Sequence, residues 1–119
     1  MRSEIKFVNG KPFVCVYGNM YTPLAYTTYF EECGKFDDFI ASGYKIFFVN
    51  ISFTGLPINN VTGFSPFLSG VFEGDVPDYE EFDGVVHKIL SSCPDALIFP
   101  RINVAMPRKW IEENPSECV

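Results

Sequence analysis

Two apolar runs rich in β-branched and aromatic residues constrain the fold of this chain more than any other feature. They are YKIFFVNIS (44–52) and ALIFPRINV (96–104). Between them, DYEEFDGVVHKILSSCPD (78–95) has apolar residues mostly three or four positions apart, the spacing of an amphipathic helix. Strands that alternate with helices pair in parallel, because the helix carries the chain back to the same end of the sheet. The sequence therefore predicts an α/β fold with a parallel sheet.

A hairpin is predicted at the start of the chain. Asn9 and Gly10 lie between two short apolar runs, and this dipeptide is a strong signal for a tight β-turn. We expect Ile5–Val8 to pair with Phe13–Tyr17 or to lead directly into it, and we expect the second run to begin the parallel sheet.

Two further helices complete the predicted order. The segment 28–43 has a helical spacing, and Gly43 is well placed to end that helix. The segment 107–117 begins with a proline, which suits a first helical turn. In the helix at 78–95, Asp78 is the predicted N-cap, with Glu81 at the capping-box spacing. The chain of 119 residues is long enough for one core, so we expect a single domain with a hairpin followed by α-β-α-β-α.

Charge and composition exclude several classes of function. The net charge is −6, and an acidic chain repels a phosphate backbone, so we expect no nucleic-acid partner. We find no apolar stretch long enough to span a bilayer and no signal peptide, so we expect no membrane partner and a cytoplasmic location. The four cysteines form no C-x-x-C pair and there is one histidine, so we expect no metal. Without a glycine-rich phosphate loop, we expect no cofactor either.

Polar side chains collect at the carboxyl ends of the predicted strands. Side chains alternate between the faces of a strand, and one face of each strand is apolar first and polar last. The polar residues are Tyr17 and Asn19 in the first strand, Asn50 in the second, and Arg101 and Asn103 in the third. This edge is where α/β proteins bind ligands, but strand ends also meet solvent, so both explanations stay open. Arg101 is the sharpest signal, because it stands in an apolar run and needs an acceptor.

A sixth candidate, Trp110, lies in the last predicted helix. Its position fits either a core residue of that helix or an aromatic platform for a ligand.

The chain resembles the beginning of a known catalytic barrel. The segments NGKPFVCVYGNMY (9–21), FDDFIASGYKIFFVNIS (36–52) and the run from 78 to 115 are similar to β-galactosidase-like glycoside hydrolases of the family 42 type. The resemblance covers nearly the whole chain and is most specific over 93–115. It departs from the family where Lys109 precedes Trp110, since a second tryptophan is common there. It implies the first three βα units of a (β/α)8 barrel.

The resemblance also implies what the chain does. The candidates Tyr17, Asn19, Asn50, Arg101 and Asn103 would form the early wall of a sugar site. The two carboxylates that this family uses follow later barrel strands, and retaining hydrolysis needs both. We therefore expect a truncated glycoside hydrolase-like domain with no catalytic residues of its own. The alternatives are a carbohydrate-binding module and a structural or interaction module that reuses the βα scaffold.

A slice of a barrel has open surfaces. Its parallel edges would be unpaired, and its inner face would place Phe48, Leu97 and Phe99 in water. Open edges and apolar patches favour self-association, so we expect a homo-oligomer. The alternative is that the long loop at 53–77 folds over the slice and seals it. The apolar residues of that loop are Phe53, Leu56, Phe64, Phe67, Leu68, Val71 and Phe72.

Overall fold

The computed structural model describes residues 2–56, 61–65, 67 and 70–118. The protein is an α/β chain with two three-stranded sheets, one antiparallel and one parallel. The antiparallel strands are β1 (Ser3–Val8), β2 (Lys11–Val16) and β3 (Asn19–Tyr21). The parallel strands, in sheet order, are β4 (Ala25–Tyr26), β5 (Ile46–Ser52) and β6 (Leu97–Asn103). The α-helices are α1 (Phe36–Ala41), α2 (Glu80–Ser92) and α3 (Arg108–Glu113).

The predicted hairpin is confirmed. β1 and β2 pair antiparallel from Ser3 opposite Val16 to Val8 opposite Lys11. Asn9 and Gly10 form the turn with φ values of 51° and 76°. Positive φ at both central residues is what a two-residue turn needs to match the twist of its strands, and Asn-Gly supplies it at low cost.

The predicted start of the parallel sheet is wrong. β2 belongs to the antiparallel sheet, where it lies between β1 and β3. The first parallel strand is the two-residue β4, which places Ala25 opposite Ile46 and Tyr26 opposite Phe47. Such a short strand has no alternating apolar pattern to identify it. The more strongly patterned β2 was therefore mistaken for it.

The first predicted helix is divided. A 3-10 turn at Glu31–Cys33 comes first and α1 follows. Gly34 lies between them in an extended conformation, and a Cβ there would meet the Phe36 ring at 2.5 Å. The absence of a side chain at Gly34 therefore leaves room for the Phe36 ring. As predicted, Gly43 ends the region, with a φ of 88°.

The hydrophobic core lies on one face of the parallel sheet. Its fully buried members are Phe36 of α1, Ile89 of α2, and Phe47 and Val49 of β5. Both helices therefore pack on the same face. The opposite face carries Phe48 and Phe99, whose ring centroids are 5.6 Å apart and which are 36% and 42% exposed.

The predictions for α2, β5 and β6 hold with small corrections. α2 begins two residues after Asp78, whose carboxylate accepts a hydrogen bond from Glu80 N at 2.9 Å without being the N-cap residue. Asp78 therefore stabilises the helix from just outside it. β5 is confirmed as a buried strand, except that its exposed Phe48 contradicts burial on both faces. In the described part of the chain, no helix is long and apolar enough to cross a membrane.

The loop after β5 folds over the carboxyl edge of the parallel sheet. Val71 N donates to Ser52 O at 2.9 Å, and Phe72 N donates to Phe53 O at 3.1 Å. The Phe53 and Phe72 rings meet edge to face with centroids 4.8 Å apart. Phe48 and Phe99 stay exposed, so the described part of the loop does not seal the face that carries them. Leu68 lies outside the described residues.

Candidate functional site

Three of the six predicted site residues come together at the carboxyl edge of the parallel sheet. β5 and β6 pair with Asn50 opposite Arg101 and Ser52 opposite Asn103, so these side chains share one face, as their alternation predicted. Asn103 Nδ2 lies 3.5 Å from Asn50 Oδ1 and 3.3 Å from the Arg101 carbonyl. The strands thus hold two amides and a guanidinium side by side.

This group is completed by two further residues, Glu31 and Tyr29, which the sequence did not predict as site residues. Glu31 Oε1 accepts hydrogen bonds from Asn50 N at 2.6 Å and from Asn50 Nδ2 at 3.0 Å. The Arg101 guanidinium donates to the Tyr29 hydroxyl and lies 4.1 Å from the centre of the Tyr29 ring. Tyr29 and Glu31 both lie in the segment that follows the short β4. The edge cluster, as we call it, consists of Tyr29, Glu31, Asn50, Arg101 and Asn103.

The acceptor that Arg101 required is therefore Tyr29. A cation over an aromatic face is attracted by the ring, and the hydroxyl satisfies one donor. A guanidinium has five N–H donors, so this contact still leaves Arg101 the capacity to bind a further acceptor.

Two adjoining cavities open at the edge cluster. The smaller, of about 170 Å³, is lined by Glu31, Asn50 and Ser52, and also by Asp78 and Glu81. The larger, of about 450 Å³, is more apolar, and Asn103 lies in its wall. They share four aromatic residues, which are Tyr29, Phe30, Phe64 and Phe67. A concave aromatic surface with a few converging polar groups is the usual form of a small-molecule site.

The carboxyl group of Glu31 is electrostatically unusual. Burial raises the pKa of Glu31, the hydrogen bonds from Asn50 oppose that rise, and the nearby Glu81 adds to it. Desolvation dominates, so the pKa of Glu31 lies above its ordinary value.

Glu73 holds the loop that forms one wall of the cavities. Glu73 accepts a hydrogen bond from Gly55 N at 2.7 Å and another from the Thr54 hydroxyl. Thr54 itself is fully buried. This carboxylate fixes the chain where it leaves β5, and so it fixes the Leu56 side of the larger cavity.

Tyr17 and Asn19 do not belong to the edge cluster. Tyr17 is in the turn after β2, with a φ of 49° and 70% exposure. Asn19 lines a separate depression with Lys45 and Asp95, which lie within two residues of the starts of β5 and β6. It therefore lies at the amino end of the parallel strands, because the strand assigned to it was the wrong one.

Trp110 lies on α3 and is 36% exposed. Its backbone oxygen accepts hydrogen bonds from the backbone and side-chain nitrogens of Asn114, both at 2.9 Å. These bonds cap the end of α3. They do not connect the indole ring to the edge cluster.

Groups of cysteine, histidine and carboxylate side chains with a metal-binding arrangement are absent from the described residues. Comparison with protein-family models, curated proteins and solved structures gave no match to this chain.

Proposed function

We propose that this chain binds carbohydrate at the carboxyl edge of its parallel sheet and does not hydrolyse it alone. The observation that carries the proposal is the edge cluster beside an aromatic cavity. Arg101 has N–H donors beyond the one that Tyr29 accepts, the amide oxygens of Asn50 and Asn103 can accept from sugar hydroxyls, and aromatic rings pack against the apolar face of a sugar ring. The resemblance to β-galactosidase-like barrels is independent support, because it assigns Asn50, Arg101 and Asn103 to a sugar site.

The parallel unit is proposed to be the beginning of a (β/α) barrel. Three parallel strands in sequential order, with α1 and α2 on one face, are the arrangement of successive barrel units. The inner side would then be the face that carries Phe48 and Phe99, which α1 and α2 leave uncovered. In barrels of this kind, ligands bind at the carboxyl ends of the strands, where the edge cluster lies.

Glu31 is proposed to support the site and not to act in hydrolysis. A retaining glycosidase places two carboxyl groups about 5 Å apart across the bond that it cleaves. In this chain the backbone N–H and the side-chain amide of Asn50 both donate hydrogen bonds to Glu31 Oε1. That oxygen is engaged by the protein, which suits an orienting role.

Calorimetric titration with lactose and galacto-oligosaccharides tests this proposal. We expect Asn103→Ala to weaken the affinity about fivefold, because a lost hydrogen bond is worth about 1 kcal/mol. Asn19→Ala is the matched control and should leave the affinity unchanged, since Asn19 lies at the other end of the strands. Circular dichroism should show that both variants are folded.

Two results would contradict the proposal. One is an absence of binding at millimolar sugar, and the other is an equal loss of affinity in both asparagine variants. Hydrolysis of nitrophenyl galactosides by the purified chain would contradict the claim that the chain does not hydrolyse carbohydrate alone.

A second candidate function is that of an interaction module. It is favoured by the apolar residues left exposed outside the edge cluster, among them Phe7 and Ile102, at 71% and 58%. Large exposed apolar patches commonly mark surfaces for another protein. Recovery of a single protein partner, unaffected by added sugar, would favour this candidate over the first.

A further inference from the structure

The smaller cavity at the edge cluster has aromatic residues on several sides. Tyr29 and Phe67 have ring centroids 6.4 Å apart, and Phe30 and Phe64 have theirs 5.7 Å apart. Phe82 of α2 lines the same cavity. The face of an aromatic ring carries partial negative charge, so such rings attract a cation that lies against them.

The charged side chains that line this cavity are all acidic. They come from the 3-10 turn after β4 and from the beginning of α2, and they are Glu31, Glu32, Asp78 and Glu81. In the described part of the chain, no lysine, arginine or histidine lines the cavity. Ionised carboxyl groups that share a small space repel each other, and a cation within the cavity would relieve that repulsion.

Two buried polar residues of β5 add hydrogen-bond acceptors to the same cavity. Asn50 and Ser52 both line it, and each is 7% exposed. The amide nitrogen of Asn50 is engaged within the protein, whereas Asn50 Oδ1 has, among the described contacts, only Asn103 Nδ2 at the long distance of 3.5 Å. The Ser52 hydroxyl donates to Thr54 O at 2.8 Å, and its oxygen keeps the capacity to accept. A ligand of this cavity therefore has to supply the donors.

The adjoining larger cavity differs in its chemistry. The two cavities share Ser52 and the four aromatic residues, but no charged side chain of the described residues lines the larger one. A ligand that lies across both would place a positive group in the smaller cavity and a neutral ring in the larger. The smaller cavity, of about 170 Å³, has room for an ammonium group and the carbons next to it, since a water molecule occupies only about 30 Å³ in the liquid.

We infer that the smaller cavity binds the protonated amino group of an organic cation. The ammonium group donates to the carboxylates and to the acceptors on β5, and the aromatic rings cover the carbons that carry it. That the rest of the ligand is a sugar rests on the proposed function, and the ligand is then an amino sugar. A neutral sugar lacks the positive charge, and an N-acetylated sugar has a neutral amide in its place, so both bind less tightly.

Calorimetric titrations with galactosamine, galactose and N-acetylgalactosamine test this preference. They are made in mildly acidic buffer, in which the amino group of galactosamine is protonated. We expect galactosamine to bind about tenfold more tightly than either neutral sugar, because cations gain from both the rings and the carboxylates. Added salt should reduce the difference, because it screens the attraction between charges.

Two neighbouring glutamates of α2 provide a variant and its matched control. Glu81→Gln removes one charge from the wall of the cavity, so the preference for galactosamine should fall several-fold. Glu80→Gln changes the net charge equally, but Glu80 is exposed and lines neither cavity, so the preference should stay unchanged. Circular dichroism should show that both variants are folded. Equal affinities for the three sugars, or an equal effect of the two substitutions, would overturn the inference.

Cyclohexylammonium and cyclohexanol separate this inference from the proposed function, because they differ in charge and neither is a sugar. We expect cyclohexylammonium to shift the amide NMR signals of Asn50, Ser52 and Glu81 at millimolar concentrations at which cyclohexanol does not. If it does so and no sugar binds, the cation site stands and the carbohydrate proposal fails. If neutral sugars bind as tightly as galactosamine and cyclohexylammonium causes no shifts, the reverse holds.

Discussion

Gly70 allows the loop after β5 to lie directly against the chain at Thr54. A Cβ on Gly70 would be 2.2 Å from Thr54 Cα and 2.6 Å from the Thr54 backbone nitrogen. Backbone atoms at that distance cannot rotate away as a side chain can. The next residue, Val71, is buried and hydrogen-bonded to Ser52, so this contact also positions one wall of the smaller cavity.

We expect Gly70→Ala to lower the free energy of unfolding by roughly 1–3 kcal/mol, because overpacking forces the backbone apart. Gly74→Ala is the matched control, since its nearest neighbours would be 3.7 Å and 4.0 Å from the new Cβ. Urea unfolding of the two variants checks this. Equal stabilities would contradict the close packing at Gly70.

At the scale of residues, the sequence predicted the part of the edge cluster that lies on long strands. Alternation places Asn50, Arg101 and Asn103 on one face, and the register of β5 and β6 brings them together. Glu31 and Tyr29 could not be found in this way, because they follow a two-residue strand with no periodic pattern. Their roles depend on contacts between segments that are far apart in the sequence.

At the scale of elements, α2 contains one residue that stabilises the core, Ile89, and one that lowers the stability of the helix, Gly84. Ile89 is fully buried against Phe36, Phe47 and Val49. Gly84, in the same helix, has no atom within 4 Å of where a Cβ would be. Glycine inside a helix costs about 1 kcal/mol relative to alanine, since it loses more backbone entropy on folding.

Two alanine substitutions in α2 should therefore act in opposite directions. We expect Ile89→Ala to lower the free energy of unfolding by about 3 kcal/mol, through lost burial and the cavity left behind. We expect Gly84→Ala to raise it by about 1 kcal/mol. Denaturant unfolding measures both. A loss of stability in both variants would show that α2 does not pack as described.

The elements that the sequence predicted correctly are those with a strong period or a specific turn. The hairpin, α2, β5 and β6 have such signals. The parallel partner on the other side of β5 was misassigned, because β2 has the stronger β pattern, whereas β4 has two residues. The predictions for Tyr17 and Asn19 are wrong for the same reason, because they depend on β2 being a parallel strand.

At the scale of the whole molecule, the chain exposes more surface than a compact monomer of its mass. Its accessible surface is 8240 Å², whereas a folded monomer of this mass typically exposes about 6,500 Å². Its radius of gyration is 17.4 Å, against about 13.5 Å for a compact domain of this length. The excess on one chain is larger than the roughly 800 Å² that each partner buries in a standard protein interface.

We therefore propose that copies of this chain associate through the exposed apolar surface, on which Phe48 and Phe99 lie. Light scattering behind a sizing column, over a concentration series, should give a mass above the 13.5 kDa of one chain. Phe99→Asp should shift that mass towards the monomer, because it places a charge in the apolar surface. A monomer at every concentration would contradict self-association.

The most direct measurement of the central claim is an amide NMR titration with a galacto-oligosaccharide at millimolar concentration. We expect saturable shifts at Asn50, Arg101 and Asn103, with no shifts in the hairpin formed by β1 and β2. An absence of shifts would contradict carbohydrate binding. Shifts confined to the hairpin would contradict its placement at the carboxyl edge of the parallel sheet.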